Sequence, residues 1–456
     1  MDATNKRSTP GVEIDDLLDS SPLSGLQKYV LVLCALAVLF DGYDLQDLAL
    51  IVPALTKAWH VTPASLSLAL SASLLGMGLG AAALGPLGDR YGRRTVLAAT
   101  LAIVGVSSLA SALAHNALQL TLCRLFTGAA LGASLANAYA LTADFMPPRR
   151  RASLITLSYC NTATGALTAG LVTPILLAHY AWPATFVMGG VLPLALSAAL
   201  MTTGPESIKF LLNRRPGSSA ALKILRRIAP GTSPETVYLK PPAQALAGSV
   251  RDLFERHYRS STLLLWLGFA MNSFTLYLLV SWLPTLLTGA GWLPAQASRA
   301  MAFNQLGGIV GGLSLAVLMD RFGNERTLAV GFAVNVVALM LFLGVPSGFL
   351  SWGALLLMIG ACTGGSQFAI VSLAASLYPS SILATGSGWA SAVARIGAFV
   401  GPLVGGALIA ARVAPTRVIA GLAAPAVICV ISMLLMRRRS DRASLSRVSA
   451  DSTARR

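Results

Sequence analysis

Long apolar runs separated by short polar breaks occupy most of this chain. A helix needs about 20 mainly apolar residues to cross the hydrocarbon core of a bilayer, and runs of this kind recur along the sequence. The pattern therefore predicts an all-α membrane protein with twelve transmembrane helices. We number these predicted spans one to twelve, and they lie near 27–54, 64–87, 95–114, 118–141, 153–179, 183–203, 262–288, 297–319, 327–345, 351–377, 384–411 and 416–436.

Arginine is concentrated in alternate connections between the spans. The positive-inside rule assigns such connections to the cytoplasm and places both termini there as well. The stretch 204–260 is the longest polar interruption, carries ten Lys/Arg against four Asp/Glu, and is predicted to be a cytoplasmic linker. The arginines of the short connections are Arg90, Arg93, Arg94, Arg149, Arg150, Arg151, Arg321 and Arg326.

A sequence repeat relates the two sides of this linker. The tetrapeptide Asp-Arg-Tyr-Gly that starts at Asp89 recurs as Asp-Arg-Phe-Gly from Asp320, an offset of 231 positions, and Pro147 recurs as Pro379 at an offset of 232. Two landmarks at nearly one offset indicate duplicated halves, a transporter plan in which the substrate site lies between them at the midplane. The predicted division is a tail 1–25, a six-helix bundle 26–203, the linker 204–260, a pseudo-symmetric six-helix bundle 261–437 and a basic tail 438–456.

Composition agrees with a membrane protein. Of the 456 residues, 55% are hydrophobic and 11% are charged, whereas soluble proteins carry about 25% charged residues. The net charge of +16 follows from the loops and the C-terminal tail, so no nucleic-acid partner is expected. The five cysteines lie in apolar segments without metal-ligand spacing, and we expect no metal and no cofactor. No basic region precedes the first span, which is therefore interpreted as retained rather than as a signal peptide.

Two aspartates lie inside the first span. Asp41 and Asp44 are three residues apart and so share a helix face. A charged aspartate at the bilayer centre costs about 2.5–3.5 kcal/mol on insertion scales, which makes the pair a functional hypothesis by default. We predict that these acids carry protons, and a structural salt bridge is the alternative. Asp47 is expected nearer the end of the span, where solvation would make it less informative.

Two arginines inside spans are the natural counterparts of these acids. Arg124 opens span four and Arg395 lies within span eleven. Arginine presents a fork of donors and keeps its charge, so either can hold an anionic substrate or pair with a first-span acid. We assign Arg395 to the substrate and Arg124 to the pairing, and the reverse assignment stays open.

Aromatic and amide side chains in the same spans are candidates to stack on and hydrogen-bond a planar ligand. Packing, interhelical contacts and interface anchoring are the alternatives for each of them. With Arg395 and Arg124, the candidate substrate contacts are Tyr43, Asn161, Tyr277, Trp282, Asn304, Gln305, Gln367 and Trp389.

The connection after span two has the pattern Gly-x3-Asp-Arg-x-Gly-Arg-Arg. A small residue at its second glycine lets the chain turn closely, and its acid can accept from helix-end amides or a neighbouring arginine. The pattern resembles the signature of the major facilitator superfamily, although arginines placed only for topology are the alternative. The resemblance implies a cytoplasmic gate in which Asp144, unless it merely ends a helix, pairs with loop arginines. The implied gate residues are Gly85, Asp89, Arg90, Gly92, Arg93, Arg94, Asp144, Asp320 and Arg321.

Three further segments narrow the resemblance, and they begin at Asp41, Ser281 and Gly386. Together with the loop they are similar to the aromatic acid/proton symporters of this superfamily, which import 4-hydroxybenzoate, protocatechuate and related acids into bacteria. The similarity runs from about residue 25 to 435 and implies that the first-span acids and the Asp89 loop are required for uptake. One departure is Leu383, which stands where the family usually has an arginine, and it implies a second half of the gate that is weaker or differently built.

The sequence therefore predicts a monomeric, proton-coupled importer of small aromatic carboxylates in the bacterial inner membrane, working by alternating access. Efflux by proton antiport in the same fold is an alternative, and a membrane sensor that binds such acids without transport is a more distant one. We do not expect an enzyme, because no nucleophile, base and orienting group recur at useful spacing.

Overall fold

The computed structural model describes residues 12–214, 218–230, 237–238, 250–255, 257–346, 348–379 and 382–454. Within these ranges the chain is almost entirely helical, and a single two-residue parallel pairing joins Val12–Glu13 to Val237–Tyr238. The helices are α1 (Ile14–Ser20), α2 (Gly25–Trp59), α3 (Ser67–Ala83), α4 (Leu87–Tyr91), α5 (Arg93–Ala112), α6 (Ala117–Phe145), α7 (Pro148–His179), α8 (Pro183–Thr203), α9 (Ile208–Arg214), α10 (Ser219–Ile228), α11 (Arg259–Gly289), α12 (Pro294–Phe322), α13 (Asn324–Leu341), α14 (Phe349–Leu377), α15 (Leu383–Ala410), α16 (Pro415–Gly421) and α17 (Ala423–Ala454).

The described residues contain 12 helices long and apolar enough to cross a membrane, so the predicted number of spans is confirmed. Several boundaries differ from the prediction by more than three residues, among them the ends of spans one and two. Span one runs to Trp59 through Pro53, a break that membrane helices tolerate. Span two ends at Ala83 because Pro86 cannot continue the helix, and α4 then forms separately.

Close helix contact positions the first-span acids. A Cβ at Gly42 would overlap the backbone of Thr162 on α7, so only glycine allows spans one and five to approach this closely. The contact fixes the rotation of span one, and with it the direction in which the neighbouring aspartates face.

The apolar cores differ at the two ends of the bundle. At the end opposite the linker, one core combines both halves, for example Ile51 and Leu66 with Leu286 and Met301. At the linker end, the halves form separate cores, one around Phe145 and the other built from residues such as Phe269, Met319 and Leu373. The bundle is thus sealed on the side away from the linker.

Short helices before span one and after span six extend the linker-side core of the first half. The apolar face of α1 packs there with Ile208 of α9 and Leu225 of α10. Asp15 of α1 is 3.0 Å from Arg151 and 2.8 Å from Lys209, which fastens α1 to span five and to α9.

Candidate functional site

A buried ionic network lies inside the first half, between spans one and four. The Arg124 Nη1 atom is 3.0 Å from Asp44 Oδ1 and 3.6 Å from Asp47 Oδ1. Relative exposure is 0% for Arg124, 2% for Asp44 and 0% for Asp47. The expectation that Asp47 is solvated was wrong, because the helix continues for twelve residues beyond it to Trp59.

Further polar groups complete the surroundings of Arg124. Its Nη2 atom donates to the Ser111 hydroxyl at 3.2 Å and the Thr127 hydroxyl at 3.3 Å, and its guanidinium lies 4.9 Å from the centre of the Phe186 ring. Arg124 is fully buried and contacts two acids and two hydroxyls, and its Nε atom lacks a hydrogen-bond partner among the described residues. These contacts favour the assignment of Arg124 to the pairing network over a substrate contact.

Asp41 lies apart from this network, although it is one turn away on the same helix. It is 1% exposed, and neither carboxylate oxygen has a hydrogen-bond partner among the described residues. The charged groups whose fields reach it are Arg395 and Asp44, and the phenol of Tyr277 lies in the fields of both Arg395 and Asp41. Asp41 of the first half, Arg395 of the second half and Tyr277 are therefore close enough to interact electrostatically, although no hydrogen bond or ion pair among the described residues joins Asp41 to either.

Arg395 crosses the boundary between the halves. Its aliphatic stem lies against Gly78 of span two, and its Nη1 atom is 3.9 Å from the Met77 sulfur. Sulfur is a weak acceptor, so this contact leaves most of the guanidinium donors for other partners.

A cavity of about 90 Å³ lies between the halves near their middle. A single water needs roughly 10–15 Å³ on this scale, so the space takes several waters or a small organic molecule. Spans one, five, seven, eight and ten contribute its walls. The lining residues are Gly42, Leu45, Gln46, Thr162, Ala163, Ala166, Leu276, Tyr277, Val280, Gln305, Gly308, Gly364, Gln367 and Phe368.

A second, smaller cavity of about 10 Å³ adjoins Asp44. Its walls include the hydroxyl-bearing residues Ser73, Tyr277 and Ser281, and it shares the side chains of Leu45, Tyr277 and Val280 with the larger cavity. The volume suits one water, and the Oδ2 atom of Asp44 has no partner among the described residues. The residues Leu45, Tyr277 and Val280 therefore lie between this cavity beside Asp44 and the central one.

The central cavity brings together three of the predicted ligand contacts, namely Tyr277, Gln305 and Gln367. Sequence reasoning missed Gln46 and Phe368 in the same wall. Gln46 directly precedes Asp47 inside an apolar span, and this placement was the available signal.

Five of the predicted aromatic and amide contacts lie outside this wall, and packing accounts for most of them. Trp282 is fully buried and its indole donates to the Pro402 carbonyl at 2.8 Å. Asn304 donates to the Leu356 carbonyl at 3.1 Å, so it joins two helices. The remaining three are Tyr43, which donates to the Thr185 carbonyl at 3.3 Å, Trp389, which is 45% exposed and stacks on Trp266, and Asn161, which is half-buried.

The predicted gate is organised around Arg93 at the linker end of the first half. Its guanidinium lies 2.7 Å from Asp144 Oδ2 and 3.1 Å from Asp89 Oδ1, and it donates to the Ala140 carbonyl at 2.9 Å. The Ser207 hydroxyl also donates to Asp144. Asp144 thus pairs with the arginine after span two, while the side chain of Asp89 stays 74% exposed.

Glu206, which sequence reasoning missed, satisfies the first turn of α5. Its carboxylate accepts from the backbone amides of Arg94 at 2.9 Å and Thr95 at 3.3 Å, a position favoured by the helix dipole. Gly92 has φ +103°, and a Cβ there would meet the Glu206 carboxylate, so glycine is required. Glu206 rather than Asp89 therefore holds the helix-end amides. Glu206 is the only acid in the first half of the linker, and this was the signal that the sequence offered.

The remaining gate residues have looser surroundings. Gly85 accepts from the Asn137 amide at 3.3 Å, and the guanidinium of Arg90 lies 5.4 Å from the centre of the Tyr91 ring. Asp320 and Arg321, the echo in the second half, are exposed and form no ion pair with a described residue. The ionic cluster that the motif predicted is therefore built in the first half.

Comparisons with known proteins agree with this architecture. The model of the Major Facilitator Superfamily matches residues 33–402 and 265–454. The gallate transporter of Pseudomonas putida is 35% identical over 87% of this chain and 89% of its own length, and the 4-hydroxybenzoate transporter PcaK of Pseudomonas aeruginosa is 35% identical over 94% and 98%. The 3-(3-hydroxy-phenyl)propionate transporter of Escherichia coli is 33% identical over 92% and 97%. A partially occluded inward open structure of the xylose transporter XylE from E. coli superimposes with a TM-score of 0.68 at 17% identity, covering 91% of this chain and 98% of that one.

Proposed function

This chain is a multi-pass membrane transporter that belongs to the major facilitator superfamily, and from that premise we propose that it imports small aromatic carboxylates together with protons. The family resemblance read from the motifs is confirmed by the family match and by relatives aligned over most of their length. The names of those relatives support the aromatic substrate class. We place the protein in the bacterial cytoplasmic membrane with both termini inside, and its mechanism is alternating access.

The charge balance of the buried acids carries the proposal of proton coupling. Asp41, Asp44 and Asp47 face Arg124 and Arg395, so three negative charges oppose two positive ones when all are ionised. An uncompensated charge in a buried membrane site costs several kcal/mol. One bound proton removes the imbalance, which makes this group of acids suited to take up and release protons.

Competition for Arg395 explains how a proton and an anion are bound together. When Asp41 is ionised in the empty carrier, its negative charge and the positive charge of Arg395 offset each other across the two halves. A substrate carboxylate that approaches Arg395 adds a second negative charge, and a proton on Asp41 then restores neutrality. The anion therefore binds well only when Asp41 is protonated. Tyr277 lies in the fields of both groups and offers a phenolic donor to either carboxylate.

The two places where an acid can take up a proton, Asp41 and the pair Asp44 and Asp47, allow one or two protons per substrate anion. Each net charge that moves across the membrane contributes about 2.3 kcal/mol per 100 mV. One proton per monoanion is electrically neutral, so accumulation then depends on the pH gradient alone. A second proton shared by Asp44 and Asp47 above Arg124 would let the membrane potential drive uptake as well.

The separation of the linker-side cores corresponds to an inward-facing carrier. The arginine-rich loops favour a cytoplasmic linker side, and with that orientation the shared core seals the periplasmic side. In this state the Arg93 cluster holds only the first half together. We propose that the exposed carboxylate of Asp89 engages the second half when the cytoplasmic side closes, where Asp320 and Arg321 lie at the equivalent loop.

Transport assays in proteoliposomes test the proposal. Vesicles loaded with unlabelled 4-hydroxybenzoate should take up the labelled acid by counterflow, and an acidic exterior should drive accumulation without preloading. Accumulation that needs an acidic interior instead would identify an antiporter that exports its substrate. Saturable binding of the acid with no counterflow would identify a sensor.

A further inference from the structure

We propose that the amides of Gln46, Gln305 and Gln367 form a subsite for a ring hydroxyl, so that the carrier selects hydroxylated aromatic acids over those without a hydroxyl. This inference rests on the proposed transport of aromatic carboxylates and assigns one end of that substrate to the central cavity. All three glutamines line this cavity.

Two of the glutamines join the halves of the protein. Gln46 of span one donates through Nε2 to the Val280 carbonyl at 3.2 Å, and its Oε1 accepts from Gln305 Nε2 at 3.3 Å. The chain of contacts fixes which end of each amide is oxygen and which is nitrogen. Gln305 Oε1 accepts from no described residue, and it therefore remains as an acceptor in the cavity wall.

Gln367 supplies the complementary donor. Its Oε1 accepts from the Asn272 amide at 2.8 Å, and its Nε2 donates to the Ser273 hydroxyl at 3.1 Å. An amide nitrogen carries two protons, so one proton of Gln367 is left for a ligand. Because Asn272 and Ser273 hold the amide in place, this donor is preorganised.

A hydroxyl fits this wall better than a carboxylate does. The lining residues carry no charge, and the basic group assigned to the carboxylate, Arg395, is outside the lining. An ionised carboxylate only accepts hydrogen bonds and would face the Gln305 oxygen unfavourably, whereas a hydroxyl both donates and accepts. A hydroxyl placed between the two amides would donate to Gln305 Oε1 and accept from Gln367 Nε2. Leu276, Val280 and Phe368 offer apolar contact for the ring between the two polar ends.

The expected selectivity follows from the cost of unpaired amides. A site built to bond a hydroxyl discriminates strongly against an analogue that lacks it, because the buried polar groups lose water and gain no partner. We expect 4-hydroxybenzoate to bind at least about tenfold more tightly than benzoate, a difference of about 1.4 kcal/mol.

Competition binding with the purified full-length protein tests the subsite. Labelled 4-hydroxybenzoate is bound to the protein and then displaced either by unlabelled 4-hydroxybenzoate or by benzoate. The wild type is measured first, so this comparison does not depend on the folding of a variant. In Gln305→Leu the preference should fall to about twofold or less, mainly through weaker binding of the hydroxylated acid. Asn304→Leu is the matched control, because it removes an amide from the adjacent position that bonds the Leu356 carbonyl outside the cavity, and its preference should equal that of the wild type.

The outcomes separate the subsite from the proposed function. Equal affinity of the wild type for both acids, or a preference that persists in Gln305→Leu, overturns the hydroxyl subsite and leaves aromatic acid transport intact. Absence of binding by any aromatic acid to the folded wild type removes the proposed function itself. A preference that is lost equally in Asn304→Leu would assign the effect to general loosening of span eight and also overturn the subsite.

Discussion

Replacing Asp41 by asparagine tests the coupling between proton and substrate most directly. Asparagine has nearly the size of aspartic acid and imitates its neutral form, so the variant behaves as a carrier whose coupling proton is always bound. Both oxygens of Asp41 lack hydrogen-bond partners among the described residues, so the substitution breaks no contact seen there. We therefore expect Asp41→Asn to fold and to bind the anionic substrate.

The charge count gives the size of the effect. Arg395 can balance one carboxylate, and the bound state contains two, that of Asp41 and that of the substrate. Binding one anion to the ionised carrier therefore takes up one proton. Where that uptake is required, the dissociation constant rises up to tenfold per pH unit, or about 1.36 kcal/mol. In Asp41→Asn no proton is needed, and the dissociation constant should be independent of pH.

Equilibrium binding of labelled 4-hydroxybenzoate between about pH 6 and about pH 9 measures this slope. A carboxylic acid titrates near about pH 4, so the substrate stays ionised throughout and adds no slope of its own. Asp144→Asn is the matched control, because Asp144 is also buried but pairs with Arg93 at the linker end, and it should keep the wild-type slope. A wild-type pH slope retained in Asp41→Asn would refute the assignment of the coupling proton to Asp41.

Three further predictions concern the other charged groups. Arg395→Ala should weaken binding of 4-hydroxybenzoate by at least about tenfold while changing binding of its neutral amide analogue by less than about twofold, since bonds to charged groups are the stronger ones; equal losses in the binding assay would give Arg395 a structural role. Arg124→Gln should lower the free energy of unfolding by about 3–5 kcal/mol, because it leaves two buried acids unpaired, and adding Asp44→Asn should restore part of it; an unchanged thermal unfolding temperature in detergent would contradict the network. Asp15→Asn should speed amide hydrogen exchange of α1 and cost at most about 1 kcal/mol, whereas Asp16→Asn, at an exposed position without an ion pair in the described residues, should not.

The pH dependence of the α1 contact has a definite sign. Burial raises the pKa of Asp15, but the positive charges of Lys209 and Arg151 lower it by more. The net pKa therefore lies below the ordinary value of 3.8. A carboxylate with a lowered folded pKa stabilises the protein above its unfolded pKa and loses this contribution as the pH falls through the folded value. Docking of α1 should therefore be constant from neutral pH down to about pH 4 and should weaken only in stronger acid.

Hydropathy and loop charge were sufficient to predict the twelve helices, because bilayer thickness fixes their length. The prediction of the helix ends failed where local features of the sequence determine them. Pro86 ends span two early, and the extension of span one beyond Pro53 puts Asp47 about 18 Å inside the helix end. The same extension turned a residue expected to be solvated into a buried partner of Arg124.

The candidate site was harder to predict, because the orientation of a membrane helix is only weakly encoded in its sequence. A span that is apolar all round gives no stripe that marks the side facing the cavity. Trp282 and Gln305 were therefore equal candidates in the sequence, although one donates to a backbone carbonyl within the protein and the other lines the cavity. Glu206 was missed for a related reason, since most of its partners are backbone amides, and a backbone amide can belong to a residue of almost any type.

The two ionic groups differ in a way that bears on the transport cycle. Asp44, Asp47 and Arg124 all belong to the first half and can move as one unit, whereas Asp41 and Arg395 belong to opposite halves. When the charges of Asp41, Arg395, the proton and the substrate anion are added, the empty carrier and the carrier that holds both proton and anion are neutral. A carrier with only the proton has an unpaired positive charge, and one with only the anion has an unpaired negative charge. At about 3 kcal/mol for such a charge, either state would be on the order of 100-fold less able to pass through the closed intermediate. If the carrier is proton-coupled as proposed, the placement of one charge on each half would therefore be enough to link movement of the substrate to movement of the proton.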